Sequence, residues 1–397
     1  MRLFRRSRRR AATQLLLATA LVATTAACSS DSGGSGDGTI KVGLLVPLSG
    51  PYEAIGKDLQ KGFELYVATH DSKFGGRKVE VVVADEGNGG GTALPAATKL
   101  VKQDKVSVVV GVANGGSMAA VAPMLTEERI PLVGAGGRPA LENVDRVWTT
   151  SWISEETGAA IAQYVKDSVN GPVAVIGPDY QGGWDQLKGF TDKFTAAGGQ
   201  IAGKDGKPFL TPWPGDNNFL PYFSQIAQSG AKAVYCFYAA AQAVEFVKQY
   251  RQSDAKDLPL YAAGFLTEGA TLTAQGDAAR DIYSVLNYAP GLDNPANRKF
   301  VADFQGKHKA VPNLYNVTAY DAGAVLDRAV AAIGDGEVTP ETIANAIGGL
   351  GQIESPRGPW QFGANHSPVQ KWYLRQVRPD GPALSNVVVQ ELGTLGG

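Results

Sequence analysis

The sequence predicts an α/β protein built on two successive parallel sheets. Three observations carry that expectation. Short apolar runs rich in β-branched residues alternate with longer amphipathic runs, the alternation restarts after Trp152, and the stretch from Thr39 to the end of the 397-residue chain is long enough for two domains.

The first 27 residues read as a leader that is removed on export, not as part of the fold. Arg2, Arg5, Arg6, Arg8, Arg9 and Arg10 make a basic region, residues 15–22 a short apolar core, and Ala26-Ala27 the small residues before a signal-peptidase cut. The apolar core is too short to span a bilayer of ~30 Å as a stable helix. Thr25-Ala26-Ala27-Cys28 resembles the lipobox of bacterial lipoproteins, with Thr25 where an aliphatic residue is usual, so Cys28 is the expected lipidation site. Residues 29–38 are Ser, Asp and Gly only and cannot bury enough apolar surface to order themselves. They form a tether with a typical reach of ~17 Å.

From Ile40 onward, residues 40–46, 79–84, 106–111 and 131–133 read as strands, separated by helical patterns over 57–68, 93–103 and 119–128. Strict alternation implies right-handed βαβ crossovers and a parallel sheet. A second set follows, with helices over 157–169, 184–197, 222–228 and 242–250 and strands over 173–176, 233–237, 260–263 and 282–286. Helical spacing then runs over 297–308, 315–333 and 340–346. Residues 371–377 and 386–392, separated by Pro379-Asp380-Gly381-Pro382, read as an antiparallel hairpin.

Composition excludes several classes. Without the leader's six Arg, the 37 basic residues fall to 31 against 38 acidic ones, a net charge of −7, which disfavours nucleic acid or an anionic membrane surface as partner. Cys236 sits in an apolar run and reads as a small buried hydrophobe, so no disulfide framework is expected. His70, His308 and His366 lack metal-ligand spacing, and no G-x-S-x-G elbow is present. Glu127-Glu128 and Glu155-Glu156 are adjacent pairs that do not face one site. No enzyme activity, cofactor or metal is expected.

The loops after the strands are the candidate site, because ligands of open α/β sheets bind beyond the strands' carboxyl ends. In the first half these are residues 49–53, 114–117 and 135–138, with Ser49, Tyr52, Asn114, Gly115, Ser117, Gly136 and Arg138 as candidates. Gly111-Val112-Ala113-Asn114-Gly115-Gly116-Ser117 approaches a phosphate-binding loop but has Ser117 where that motif needs Lys. Its backbone N–H groups at a helix start suit a carboxylate, although the turn can equally be a tight βα connection capped by Ser117. Arg138 reads either as a bidentate partner for an anionic ligand or as a solvated loop residue. In the second half, Tyr180, Trp184, Phe237, Tyr238 and Phe265, with Trp152 between the halves, could wall a pocket or serve as core, and Glu268 is the candidate for holding an ammonium group.

Ile40-Lys41-Val42-Gly43-Leu44-Leu45-Val46-Pro47-Leu48-Ser49-Gly50 resembles the opening of periplasmic-type receptors related to the leucine/isoleucine/valine-binding proteins. The resemblance continues in order through Gly177-Pro178-Asp179-Tyr180, Phe246-Val247-Lys248-Gln249-Tyr250, Gly264-Phe265-Leu266-Thr267, Ala319-Tyr320-Asp321-Ala322 and Arg357-Gly358-Pro359. It implies the type I periplasmic-binding-protein fold: two doubly wound parallel-sheet lobes joined by a three-segment hinge that close on a small molecule. Crossings are implied near 150–154, 286–290 and 356–362, giving lobe 1 as 39–150 plus 289–356 and lobe 2 as 151–288 plus 357–397. Gly115 and Gly137 stand where amino-acid receptors of this family carry hydroxyl side chains, and Leu266 aligns closest to their amine-binding glutamate. Asp293-Asn294-Pro295-Ala296-Asn297 and Gly363-Ala364-Asn365-His366 look more like the family's aromatic-acid branch.

The resemblance thus implies a monomeric, exported solute receptor of an ABC importer, in the periplasm or lipid-anchored at the outer face of the cytoplasmic membrane. It would capture a small carboxylate such as a branched-chain amino acid and deliver it to a permease. An aromatic-acid receptor of the same family and a ligand sensor without transport are the alternatives.

Overall fold

The structure, a computed structural model, describes residues 38–215, 217–381 and 383–397. The expected leader, Cys28 and residues 29–37 lie outside the described residues.

Strands β1 (Ile40–Val46), β2 (Lys73–Phe74), β3 (Arg77–Asp85), β4 (Val108–Gly111), β5 (Leu132–Gly134) and β6 (Val147–Thr149) form one sheet in the order β2-β3-β1-β4-β5-β6. Every pairing is parallel except the β2–β3 hairpin. Helices α1 (Glu53–Thr69), α2 (Gly90–Lys102) and α3 (Gly115–Glu127) supply the crossovers. Alternation along β1 decides which helix meets which face. Val42, Leu44 and Val46 pack with Leu59 and Phe63 of α1, whereas Leu45 packs with Leu100 of α2 and Val121 of α3. Both faces are apolar because both are covered, which is why these strands read as continuous apolar runs.

The second lobe begins with α4 (Glu156–Ser168), β7 (Val173–Pro178), α5 (Gln181–Ala196), β8 (Ile201–Ala202), β9 (Phe209–Thr211) and α6 (Leu220–Gln228). It continues through β10 (Ala233–Cys236), α7 (Ala240–Gln252), β11 (Leu260–Ala263), α8 (Ala270–Gln275) and β12 (Tyr283–Leu286). Val175 and Tyr235 meet Phe190 of α5 on one face, while Ile176 and Cys236 meet Phe223 and Phe246 of α6 and α7 on the other. Burial pushes the free Cys236 thiol well above its ordinary range, so it behaves as a hydrophobe.

The chain then returns to the first lobe through α9 (Pro295–His308), α10 (Leu314–Ile333) and α11 (Pro340–Gly348). Gly62 of α1 lets α10 in close, since a side chain there would meet Asn316 O at 2.1 Å. Finally β13 (Gln361–Phe362), β14 (Pro368–Asp380) and β15 (Ala383–Leu395) join the second sheet antiparallel, with β14 against β12. The sheet runs β13-β14-β12-β11-β10-β7-β8, with β15 on β14 and β9 on β7.

The three crossings are tied side by side. Ser151 O accepts from Asn287 Nδ2 (3.3 Å), Gln370 Nε2 (2.7 Å) and Arg357 Nη1 (3.4 Å). Arg357 also donates to Thr150 O and Gln370 Oε1, and its Nε donates to Asp321 Oδ2 at 2.8 Å. The Ser151 carbonyl thus gathers the segments, and the buried Arg357 guanidinium ties the third to the first. Two- and three-residue strands such as β2, β6 and β8 carry no readable alternation, which is why the sequence pattern does not predict them. Helices α3, α5 and α7 start earlier than the apolar period suggests because their first turns are Gly115-Gly116, Gln181-Gly182-Gly183 and Ala240-Ala241. Those turns face the cleft.

Candidate ligand-binding site

Loops following the strands of both sheets converge on one cavity of ≈ 50 Å³. Tyr52 follows β1, Gly115 follows β4, and Gly137 follows β5; Tyr180 follows β7, Phe237 follows β10, and Phe265 follows β11. Trp152 enters from the first crossing and Tyr315 from the first turn of α10.

The walls are aromatic and interlocked. Phe265 lies 4.9 Å from Trp152, 5.7 Å from Phe237 and 6.3 Å from Tyr315, centroid to centroid. Trp213 covers the edge, 5.0 Å from Tyr180 and 5.7 Å from Tyr52. The Tyr52 and Tyr180 hydroxyls share a hydrogen bond of 2.7 Å that joins the two lobes directly. Burial pushes the Tyr52 phenol up to about 12 and raises that of Tyr180 well above its ordinary range, so both stay neutral. Among the described residues, none that line the cavity carries a formal charge.

Three features supply donors for an anion. Trp152 is buried and its Nε1 has no hydrogen-bond partner. A side chain at position 137 would come within 2.7 Å of that nitrogen and 3.3 Å of Ser154 Oγ, so Gly137 leaves both polar atoms open. Helix α5 opens at the cavity with no side-chain cap, leaving its first N–H groups and the positive end of its dipole toward the site. Across from it, α3 begins at van der Waals distance, a Cβ on Gly115 lying 3.9 Å from Gly182 Cα.

The α3 terminus is arranged differently from the sequence expectation. Glu86, fully buried, accepts from Ala113 N (2.8 Å) and Asn114 N (2.9 Å), and Asn114 Oδ1 accepts from Gly116 N (2.8 Å) and Ser117 N (3.2 Å). Four N–H groups of the glycine-rich turn are therefore already engaged. Desolvation pushes the Glu86 carboxyl up to about 7 against the lowering effect of those hydrogen bonds.

Of the candidates read from the sequence, Tyr52, Gly115, Trp152, Tyr180, Phe237 and Phe265 meet at the cavity. Asn114 and Ser117 lie beneath it as cap and capped residue, and Gly136 packs on the same turn, donating its N–H to Val112 O at 3.1 Å. Ser49 sits on the exposed rim, with Oγ donating to Asp85 Oδ2 at 2.7 Å. Arg138 is buried away from the cavity, where its Nη2 donates to Asn365 O at 2.5 Å. Burial lowers its guanidinium to about 10 while Glu156 opposes that shift. Trp184 is 46% exposed and donates to Asp179 Oδ1 at 2.7 Å, and Tyr238 is core, bonded to Thr211 and stacked on Phe246 at 4.4 Å. Glu268 lies behind Phe265 in an adjoining recess of ≈ 10 Å³, next to Arg375. Tyr315, Gln186 and Ile55 line the cavity without a sequence signal, since the strand-end rule points to loops and these sit on helices.

Comparison with known proteins agrees with this geometry. The periplasmic binding protein family profile matches residues 39–382. The Leu/Ile/Val-binding protein homolog 6 of Brucella melitensis is 31% identical over 350 residues, covering 85% of this chain and 87% of that protein. A solute-binding protein of an ABC transporter from R. palustris in complex with benzoate is 30% identical with a TM-score of 0.82, over 91% of this chain and 98% of that one. A second from R. palustris, in complex with 4-hydroxybenzoate, is 28% identical with a TM-score of 0.82, over 89% and 96%. The chain therefore belongs to the periplasmic binding protein family, the solute-binding proteins of ABC transporters.

Proposed function

We propose that this receptor binds a small aromatic carboxylate of the benzoate class and delivers it to an ABC permease. The observation that carries the reading is an uncharged, aromatic-walled cavity whose Trp152 Nε1 is buried without a partner. A flat ring suits walls of Trp, Tyr and Phe, and the carboxylate suits the indole N–H, Ser154 Oγ and the uncapped α5 terminus. Tyr52, Gly115, Trp152, Tyr180 and Phe265 are the proposed contacts. The benzoate and 4-hydroxybenzoate complexes of similar proteins support the ligand class.

A branched-chain amino acid is the second reading, favoured by the naming of the 31% identical relative. It requires an acceptor for an ammonium group, and of the two carboxylates in the adjoining recess Glu268 already faces Arg375 Nη2 at 3.0 Å while Asp58 accepts from Asn313 Nδ2 at 2.7 Å. Calorimetric titration of the purified protein with benzoate, 4-hydroxybenzoate and leucine decides between them. Benzoate binding that weakens ~10-fold or more in Trp152→Phe, which keeps the ring and removes the N–H, is the expected result. Leucine binding with no response to either benzoate overturns the proposal.

Lobe bounds of 39–150 plus 289–356 and 151–288 plus 357–397 go with this reading. So do a monomeric state, export and a lipid on Cys28. Recovery of the mature protein only in the soluble extracellular fraction, with Cys28 absent or unmodified, would refute the anchor.

A further inference from the structure

Glu268 ends the turn that carries Phe265 on the second lobe, yet its shortest polar contact reaches the first lobe. Its Oε1 accepts from the backbone N–H of Leu314, the first residue of α10, at 2.7 Å, and its Oε2 lies 3.0 Å from Arg375 Nη2. Both side chains are buried, Glu268 at 4% and Arg375 at 0% exposure. Arg375 belongs to the second sheet through β14, and its Nη1 donates to Tyr288 O at 2.8 Å, in the second crossing between the lobes.

The cap of α10 is incomplete without this contact. Asn313 Oδ1 takes the N–H groups of Tyr315 (3.0 Å) and Asn316 (3.3 Å), and Asn316 Oδ1 takes that of Asn313 (2.8 Å). The Leu314 N–H is left for Glu268. The approach is close: a side chain on Gly269 would meet Asn313 Nδ2 at 2.5 Å.

We infer that Glu268 is a closure latch and not a ligand for ammonium. The Glu268–Arg375 pair lies within the second lobe and survives opening, whereas the bond to Leu314 exists only when the lobes meet. Only a contact made in one state shifts the equilibrium between the two. Here a carboxylate completes the N-terminus of a 20-residue helix, a charge-assisted bond aligned with the helix dipole. The neighbours on each side, Phe265 and Tyr315, line the cavity, so ligand seating and latch formation draw on the same approach. Glu268 Oε1 is taken by Leu314 and its charge is already offset by Arg375 beside Oε2, so it is poorly placed to hold an ammonium, which selects for acids that lack one; this last step rests on the ligand class proposed above.

The test compares Leu314→Pro with Glu268→Gln by titrating benzoate and leucine and following dissociation by stopped flow. Proline is suited to the first helical position, and Asn313 before it is already extended (φ −123°, ψ −177°), so Leu314→Pro deletes the N–H and spares the Glu268–Arg375 pair. The latch predicts that both variants speed dissociation of whichever acid binds by ~10-fold or more, without changing the ranking of acids. If leucine is that acid and Leu314→Pro weakens it equally, the latch stands and the aromatic reading fails. Wild-type affinity in Leu314→Pro, or a loss confined to leucine in Glu268→Gln, overturns the latch. Hydrogen exchange on the wild type checks it without any variant: bound ligand should slow exchange at the Leu314 amide, and unchanged exchange counts against it.

Discussion

Glu86 illustrates how one buried side chain both shapes the site and sets a pH dependence. Its carboxylate holds the β4–α3 turn by the Ala113 and Asn114 N–H groups, and desolvation raises its carboxyl from 4.5 to about 7. The folded state thus binds this proton more tightly than the unfolded chain does. Its contribution to stability is full below about 4.5 and is lost as pH rises through about 7. Glu156, raised to about 7, and Asp185, raised to about 6, both mainly by burial, act with the same sign. Urea midpoints should fall between pH 5 and 7.5, and Glu86→Gln should flatten that slope; a midpoint that rises over this interval contradicts the assignment. The sequence pointed at the turn that Glu86 supports but not at Glu86 itself. Nothing in a residue's neighbours along the chain reports that its side chain will fill a helix terminus on another crossover. Tyr52, Trp152, Tyr180 and Phe265 were legible because the strand-end rule and aromatic character both marked them, whereas Arg138 satisfied the same rule and lies beside Asn365 instead.

At the level of elements, the crossings depend on Arg357. It pairs with Asp321 on α10, and both side chains are at most 1% exposed. Desolvation raises the Asp321 carboxyl and lowers the Arg357 guanidinium, and each partner offsets the other's shift. Removing one member leaves a buried charge alone, so Arg357→Met should cost ~3–5 kcal/mol in urea unfolding. The double variant Arg357→Met with Asp321→Leu should recover much of that loss, and a double variant no better than the single would exclude the pair as the cause. The elements themselves were largely readable. β1 and β4 are covered on both faces and so read as apolar β-branched runs, β11 is a fully buried apolar run, and α10 shows its helical period over twenty residues. The hinge was readable only through family resemblance, because Thr150, Asn287 and Arg357 come together through topology and not through local pattern.

On the scale of the whole molecule, the proposed capture mechanism makes binding a change in the distance between two lobes, and Gly115 marks how near they come. The start of α3 faces the start of α5 with only 3.9 Å between a Cβ on Gly115 and Gly182 Cα. An alanine fits at ordinary contact distance, but a leucine must hold the lobes apart. Gly115 has no need of a left-handed conformation, so the larger side chain leaves the fold of each lobe intact. In the open form the added side chain meets only the cleft. Holding the lobes apart also gives up the Tyr52–Tyr180 bond and the Glu268–Leu314 bond, the contacts that favour closure. If the closed population drops ~100-fold, apparent affinity drops by the same factor, since only the closed form holds the ligand fully. Gly115→Leu should therefore lose benzoate binding ~100-fold while keeping its ligand-free melting temperature, and Gly115→Ala should stay near wild type. Small-angle scattering supplies the decisive measurement: benzoate should shrink the wild-type radius of gyration and leave that of Gly115→Leu unchanged. A Gly115→Leu protein that contracts on adding benzoate would show that the lobes do not meet at α3 and α5.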